Sequence, residues 1–219
     1  MSGAVHKVGK QRWRIAQRVE QLWWRRYLKG RDPHDYVAWK RSYWSEFLRR
    51  IGLSPKPGAR VLDAGCGPAG IFMTLQNCKV TAVDPLLPTY RSYSHFQLAK
   101  HAGVEFVSEQ LEFFSSHDLY DYVFCLNVIN HVRDLSRVCD VLRRQVAPGG
   151  HLIVSVDAHR WPWLKPVFKL LPGEVLHPHQ MSLAEYKAAL QAPQFEMVDE
   201  QLYQRELIFD YHVLILRRA

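Results

Sequence analysis

The spacing of apolar and polar positions along this 219-residue chain changes near residue 57. Before that point it is helical. Residues 10–29, KQRWRIAQRVEQLWWRRYLK, contain no Gly or Pro. At roughly 100° per residue, Leu22, Ile15, Val19, Trp23, Ala16, Tyr27, Trp13 and Trp24 fall on one arc, and Arg14, Arg18, Arg25 and Lys29 gather opposite. Gly30 ends this helix, and Asp32-Pro33 opens a second over residues 34–51 with Tyr36, Tyr43, Phe47 and Ile51 near one face. The turn residues GLSPKPGA then separate a basic helical extension, residues 1–56, from residues 57–219.

From Arg60 onward, short β-branched runs alternate with helical stretches. RVLDA, KVTAVD, VEFVS, DYVFCL and HLIVSV read as five strands. Pro68 to Asn77, Tyr90 to His101, a short stretch after the third strand, and His131 to Gln145 read as the helices between them. Strands separated by helices call for right-handed crossovers, and so for a parallel sheet covered on both faces. After Met181, SLAEYKAALQ reads as a last helix. FEMVDEQLY and IFDYHVLILRR read as two strands whose short connection makes them an antiparallel pair at one edge. The intervening DAHRWPWLKPVFKLLPGEVLHPHQ is too long for a simple connector. Rich in Trp, Phe, Leu and His, it predicts a lid-like insertion over about 157–181 that brings His159, Trp161, Trp163, His177 and His179 to an acceptor pocket.

Composition adds bounds. With 47% hydrophobic and 12% aromatic residues, the chain has enough material for one domain with a real core. No stretch approaches the roughly 18 apolar residues of a membrane span. The N-terminus MSGAVHKVGKQRWR lacks the apolar core of a signal peptide, so a cytosolic chain is expected. Cys66, Cys78, Cys125 and Cys139 form no C-x-x-C pair, which suits reduced, mostly buried thiols. The net charge of +8 is unevenly placed. Through Arg50 there are thirteen Lys/Arg against four Asp/Glu, and beyond it sixteen against seventeen. The basic quarter is either a surface for an anionic partner, membrane or nucleic acid, or a solvated helix face.

Candidate chemistry begins at RVLDAGCGPAG, where Gly65 to Gly70 spell G-x-G-x-x-G, the pattern of a dinucleotide-binding turn. Asp63, two residues before Gly65, argues against that use, because a carboxylate beside the loop suits a positively charged ligand and repels phosphates. Asp84 ends the second strand, 19 residues after Gly65. An acid there accepts hydrogen bonds from ribose hydroxyls, which suits an adenosine in either cofactor class. The closing antiparallel pair is a second departure from a dinucleotide domain.

The ordered set VLDAGCGPAG, VTAVDP, DYVFCLNVINHV and LRRQVAPGGHLIVSV resembles the motifs of class I S-adenosylmethionine-dependent methyltransferases. More narrowly it is similar to the small-molecule, quinone and lipid branch, whose first motif reads LDxGCGxG. The resemblance covers about Arg60 to Ala219. It implies an α/β, Rossmann-like, seven-stranded sheet in the order 3-2-1-4-5-7-6, with strand 7 antiparallel and helices on both faces. It implies S-adenosyl-L-methionine as cofactor, held at the C-terminal ends of the strands. Carried onto this chain, the Gly65-Cys66-Gly67 turn lets backbone approach the methionine moiety. Asp63 orders that turn and faces the cofactor's amino end. Asp84 holds the ribose hydroxyls, with Pro85 beside the adenine.

Ser108, Glu109 and Gln110 occupy the position that touches the adenine amino group, or else form a helix cap and first turn. Asn127 matches the place that meets the methionyl amine, although relatives often carry an acid or Ser there. His131 sits where the family often has His, either as a base for a hydroxyl acceptor or as a structural His bonding a carbonyl. His159 and His179 are further candidate bases. His159 with His177-Pro178-His179 invites a metal, but no acid or Cys at ligand spacing supports one, so no metal is expected. No N-P-P-[FYW] or D-P-P-Y follows the fourth strand, which argues against exocyclic base nitrogens and a nucleic-acid partner.

The expected activity is therefore methyl transfer to O or N of a small-molecule or lipid-like acceptor. The basic Trp-bearing helix would sit peripherally at the inner face of an anionic membrane, cap the cofactor pocket, or do both. The alternative is a non-catalytic S-adenosylmethionine-binding or RNA-binding module of the same fold.

Overall fold

The computed structural model describes residues 8–160, 181–207 and 209–219. Two helices come first, α1 (Lys10–Leu28) and α2 (Pro33–Arg50). Asp32 caps α2, accepting the His34 and Asp35 amides at 2.9 and 3.0 Å, with Pro33 in the first turn where its missing donor costs nothing. The strands are β1 (Arg60–Ala64), β2 (Lys79–Val83), β3 (Val104–Val107), β4 (Tyr120–Leu126), β5 (Val146–His159), β6 (Phe195–Arg205) and β7 (Phe209–Arg218). They form one sheet in the order β3-β2-β1-β4-β5-β7-β6, as the resemblance implies. The first five pair in parallel, and β7 runs antiparallel between β5 and β6.

Strand periodicity divides the core in two. Val61, Val80, Ala82, Phe124 and Ile153 face one side, where they meet Trp44 and Phe47 of α2. Leu62, Val123, Cys125, Leu152 and Val154 face the other, which is covered by α5 (Leu135–Gln145) and α6 (Leu183–Leu190). Apolar residues on both faces are what a parallel sheet requires. All four cysteines are buried and free.

Several expected helices are shorter. Pro68 to Asn77 holds only a 3-10 turn, Ile71–Thr74. The indole N–H of Trp44 donates to Ala69 O at 2.9 Å, and α2 covers the face that a crossover helix would fill. Tyr90 to His101 splits into α3 (Leu87–Tyr90) and α4 (Ser94–Ala99), because Tyr90 is fully buried and the chain turns sharply after it. Between β3 and β4 there is no helix. Phe113 and Phe114 donate back to Gln110 O in a single turn. The helix expected from His131 begins at Leu135, where Asp134 accepts the Arg137 amide at 3.1 Å.

The lid residues Trp161, Trp163, His177 and His179 lie outside the described residues. His159 ends β5, with its backbone opposite Phe209.

Candidate active site

The C-terminal ends of β1, β2 and β4 open into a cavity of about 520 Å³. Its floor is the glycine turn. Gly65 has φ +81° and Gly67 φ +57°, both in the left-handed region that favours glycine. A Cβ on Gly65 would stand 2.4 Å from Val128 Cγ2, so the exits of β1 and β4 touch through this one missing side chain.

Two carboxylates brace the turn. Asp84 Oδ2 accepts the Gly67 amide at 3.0 Å, and Oδ1 accepts the Leu86 amide at 2.8 Å. Asp63 Oδ2 accepts the Phe72 amide at 3.1 Å. A Cβ on Gly70 would stand 2.5 Å from that same oxygen, so the glycine makes room for the acid. Each carboxylate oxygen keeps a second lone pair, which leaves both acids able to bond a ligand.

A third acid comes from α1. Glu20 lines the cavity, and its position is legible in hindsight, since on the helical wheel it interrupts the arc between Tyr27 and Trp13. Burial raises all three acids. Asp63 reaches about 7, with the Phe72 amide opposing and the Asp84 charge adding. Asp84 reaches about 6, held down by the Leu86 and Gly67 amides. Glu20 reaches about 7, pushed further by Asp84 and eased by the Trp24 indole. Three carboxylates crowded in one cavity form a site for positive charge.

α1 closes this acidic side. Val8 N–H donates to Arg133 O at 2.8 Å, and Arg133 Nε donates back to Val8 O at 3.4 Å, which ties the head of α1 across to the loop after β4. Trp24 packs edge-on to Tyr90, 6.3 Å between centroids, and would lie 3.9 Å from a Cβ on Gly67. The predicted apolar arc therefore splits. Trp13, Ala16, Trp24 and Tyr27 turn inward together with Gln17 and Glu20. Ile15 and Leu22 point outward, 53% and 65% exposed, among Arg14, Arg18 and Arg25.

α2 supplies the opposite wall with Tyr36, Lys40, Tyr43 and Trp44, spaced along one helical face. Sequence reasoning missed Lys40. Its signal is a single lysine set inside an otherwise aromatic stripe.

Of the other expected site residues, Cys66, Pro85, Gln110, Asn127 and His131 line the cavity. Ser108 is exposed, and neither it nor Glu109 does. Instead Leu111 and Glu112 follow Gln110 into the wall, and buried Glu112 accepts the Arg133 and Asp134 amides at 2.7 and 3.1 Å. Asn127 has φ +58°, a conformation that Asn tolerates better than most side chains. Its amide donates to Ser155 Oγ at 2.8 Å, and Tyr211 Oη donates to the same oxygen at 2.6 Å. Burial pushes the Cys66 thiol well up, so it stays a neutral lining group. Among the described residues, no group of three or more His, Cys, Asp or Glu side chains could hold a metal ion, and no helix is long and apolar enough to cross a membrane.

A family model described as a methyltransferase domain matches residues 36–200. The chain is 32% identical over 97 residues to the ubiquinone biosynthesis O-methyltransferase of Rickettsia akari, covering 43% of this chain and 39% of that protein. It is 32% identical over 138 residues to the protein of the same name from Pseudomonas savastanoi pv. phaseolicola, covering 61% of this chain and 56% of that one. The chain thus spans about two-fifths to just over half the length of these curated relatives. Among solved structures, the N-methyltransferase NodS of Bradyrhizobium japonicum, in complex with S-adenosyl-L-homocysteine, superposes with a TM-score of 0.65 at 16% identity. That match covers 95% of this chain and 98% of NodS, and at such identity it establishes the shared fold.

Proposed function

The chain belongs to the methyltransferase domain family, and from that premise we propose that it moves the methyl group of S-adenosyl-L-methionine to O or N of a small-molecule or lipid-like acceptor. One observation carries this reading. A glycine turn with positive φ, the buried carboxylates of Asp63 and Asp84, the half-buried Glu20 and an aromatic wall surround a cavity of about 520 Å³. The residues fit the cofactor, because the acids crowded about the glycine turn suit a ligand carrying an ammonium and a sulfonium, and would repel a pyrophosphate.

When bound, S-adenosylmethionine supplies an electrophilic methyl carbon. In our assignment Asp84 takes the ribose hydroxyls through the lone pairs left by its two amide bonds, and so couples the ribose to the Gly67 turn. Asp63, Glu20 and Asn127 surround the positive end, and Gly65, Cys66 and Gly67 let the backbone come close. Pro85 flanks the adenine, with Gln110 beyond it and Ser108 and Glu109 further out. The residues of the walls hold acceptor and methyl donor in line and exclude water, which is where most of the rate gain of such a displacement lies. An amine acceptor needs only to be neutral. For a hydroxyl, His131 beside the cavity takes the proton, and His159 and His179 are the alternative bases.

Asp84→Ala should weaken S-adenosylhomocysteine binding at least about tenfold by calorimetric titration, the equivalent of one good hydrogen-bonded pair or more. Unchanged affinity would remove the ribose assignment. Activity itself is tested by incubating pure protein with methyl-labelled cofactor and lipid, RNA and small-molecule extracts. Label in the small-molecule or lipid fraction supports the reading, and label in RNA favours the nucleic-acid alternative. Label in none, despite cofactor binding, leaves a non-catalytic binding module.

We place residues 1–56 as a cap that also meets an anionic membrane surface. Ile15 and Leu22 project among arginines on the outer face of α1, and each basic residue near such a surface contributes about 1 kcal/mol. An Ile15→Glu, Leu22→Glu double variant should lose flotation with phosphatidylglycerol vesicles and keep its cofactor affinity within about threefold, since both side chains are exposed. Flotation unchanged in the variant, or absent in the intact chain, sinks the membrane placement.

A further inference from the structure

Resting on the methyl-transfer reading, we propose that the α2 wall of the cavity is a subsite for a planar aromatic acceptor carrying a negative charge, and that Lys40 is the residue that selects it. The cavity is electrically divided. Asp63, Asp84 and Glu20 crowd around the glycine turn, and their charges act on one another. Lys40 lies on the other wall, where no carboxylate pairs with it among the described residues. Its Nζ stands 5.2, 5.0 and 5.2 Å from the ring centroids of Trp39, Tyr43 and Trp44. Ring faces attract the positive charge, but they do not occupy the three N–H donors of an ammonium.

Tyr36, one turn earlier on the same face, adds an independent sign. Its side chain is 4% exposed and lines the cavity, and its hydroxyl is buried with no hydrogen-bond partner. A buried, unpartnered hydroxyl is costly and uncommon unless a ligand completes it. An anion on the acceptor meets both needs, accepting from Lys40 and from Tyr36 Oη, while its ring lies against Tyr43 and Trp44. Burial lowers Lys40 to about 8, so an anion that pairs with it also relieves a desolvated charge. A neutral molecule of the same shape leaves that charge unmet and is rejected on that ground.

The test uses 2-naphthoate and 2-naphthamide, which share shape and differ in charge, titrated into the full chain with S-adenosylhomocysteine present and read by quenching of the cavity tryptophans. The wild-type protein should bind the acid at least about tenfold more tightly than the amide. Lys40→Met and Lys40→Gln should each abolish that ratio, and Lys40→Arg should retain it within about threefold. The ratio separates selection from folding, because a merely structural lysine would shift both ligands together. If one neutral variant fails to fold by circular dichroism, the other decides. Equal binding of acid and amide by the wild type, no binding of either, or a ratio that survives in the neutral variants overturns the proposal. S-adenosylhomocysteine failing to bind the wild type would instead strike the methyl-transfer reading.

Discussion

Gly65→Ala should reduce affinity for S-adenosylhomocysteine by at least about 30-fold in calorimetric titration. Two costs act at one position. A φ of +81° is strained for any residue with a Cβ, by about 1–2 kcal/mol. The new methyl would also fall 2.4 and 2.6 Å from the two Val128 γ-carbons, an overlap that costs about 1–3 kcal/mol as neighbours shift. Since about 1.4 kcal/mol is a factor of ten, a combined cost of about 2 kcal/mol or more displaces the turn far enough to lose roughly one and a half decades of binding or more. Gly58→Ala is the control. Gly58 has φ +79° and nothing within 4 Å of its would-be Cβ, so it suffers strain without collision and should leave cofactor affinity within about threefold. Adding Val128→Ala to Gly65→Ala should restore part of the loss. Wild-type affinity in the single variant would show that the turn does not approach the ligand.

The second large effect is on pH. Asp63 and Glu20 sit at about 7 and Asp84 at about 6, all raised from ordinary carboxylate values by burial. For a raised acid the folded protein holds more protons than the unfolded chain, so its contribution to stability is full below the unfolded value. It is lost as pH rises through the folded value. From about pH 4 to pH 7 these three groups therefore make the free protein progressively less stable.

Positive ligand charge favours the ionised acids, so it reverses the trend. S-adenosylmethionine affinity should fall at least about tenfold between pH 8 and pH 5.5, and S-adenosylhomocysteine, which lacks the sulfonium charge, should fall less. Thermal melts of the free protein from pH 5 to 8, beside Glu20→Gln, isolate the share of one acid. The variant should show a shallower decline. Identical slopes, together with pH-independent S-adenosylmethionine binding, would place Glu20 outside the binding site.

How far the sequence alone carried is clearest at particular residues. The strands were legible because β-branched runs on a two-sided sheet leave an unmistakable record, and Asp32-Pro33 announced α2 through capping chemistry that is local. The Ile71–Thr74 turn was not. Its ten-residue stretch could have been a helix on local grounds, and only the docking of α2, with Trp44 bonding Ala69 O, took up the space. Ser108 to Gln110 read as adenine contacts, with a helix cap as the alternative, and the chain's path after β3 decided that of the three Gln110 alone reaches the cavity. The left-handed backbone of Asn127 left only a permissive residue type in the sequence, because it arises from where β4 ends against Ser155.

Hydrophobic period, capping residues and the ordered glycine and acid motifs are properties of neighbours in the chain, and by themselves they determined the strands, the parallel sheet and the place of the turn at Gly65, while the strand order came only through the resemblance to the methyltransferase family. Which way each helix faces depends on what packs against it. Tertiary structure alone decided that α1 turns Glu20 and Trp24 inward and leaves Ile15 and Leu22 out, and that α2 presents Lys40 opposite three acids. An amphipathic arc is wide, and the energy of burying one part of it or another is settled only by the shape of the partner surface.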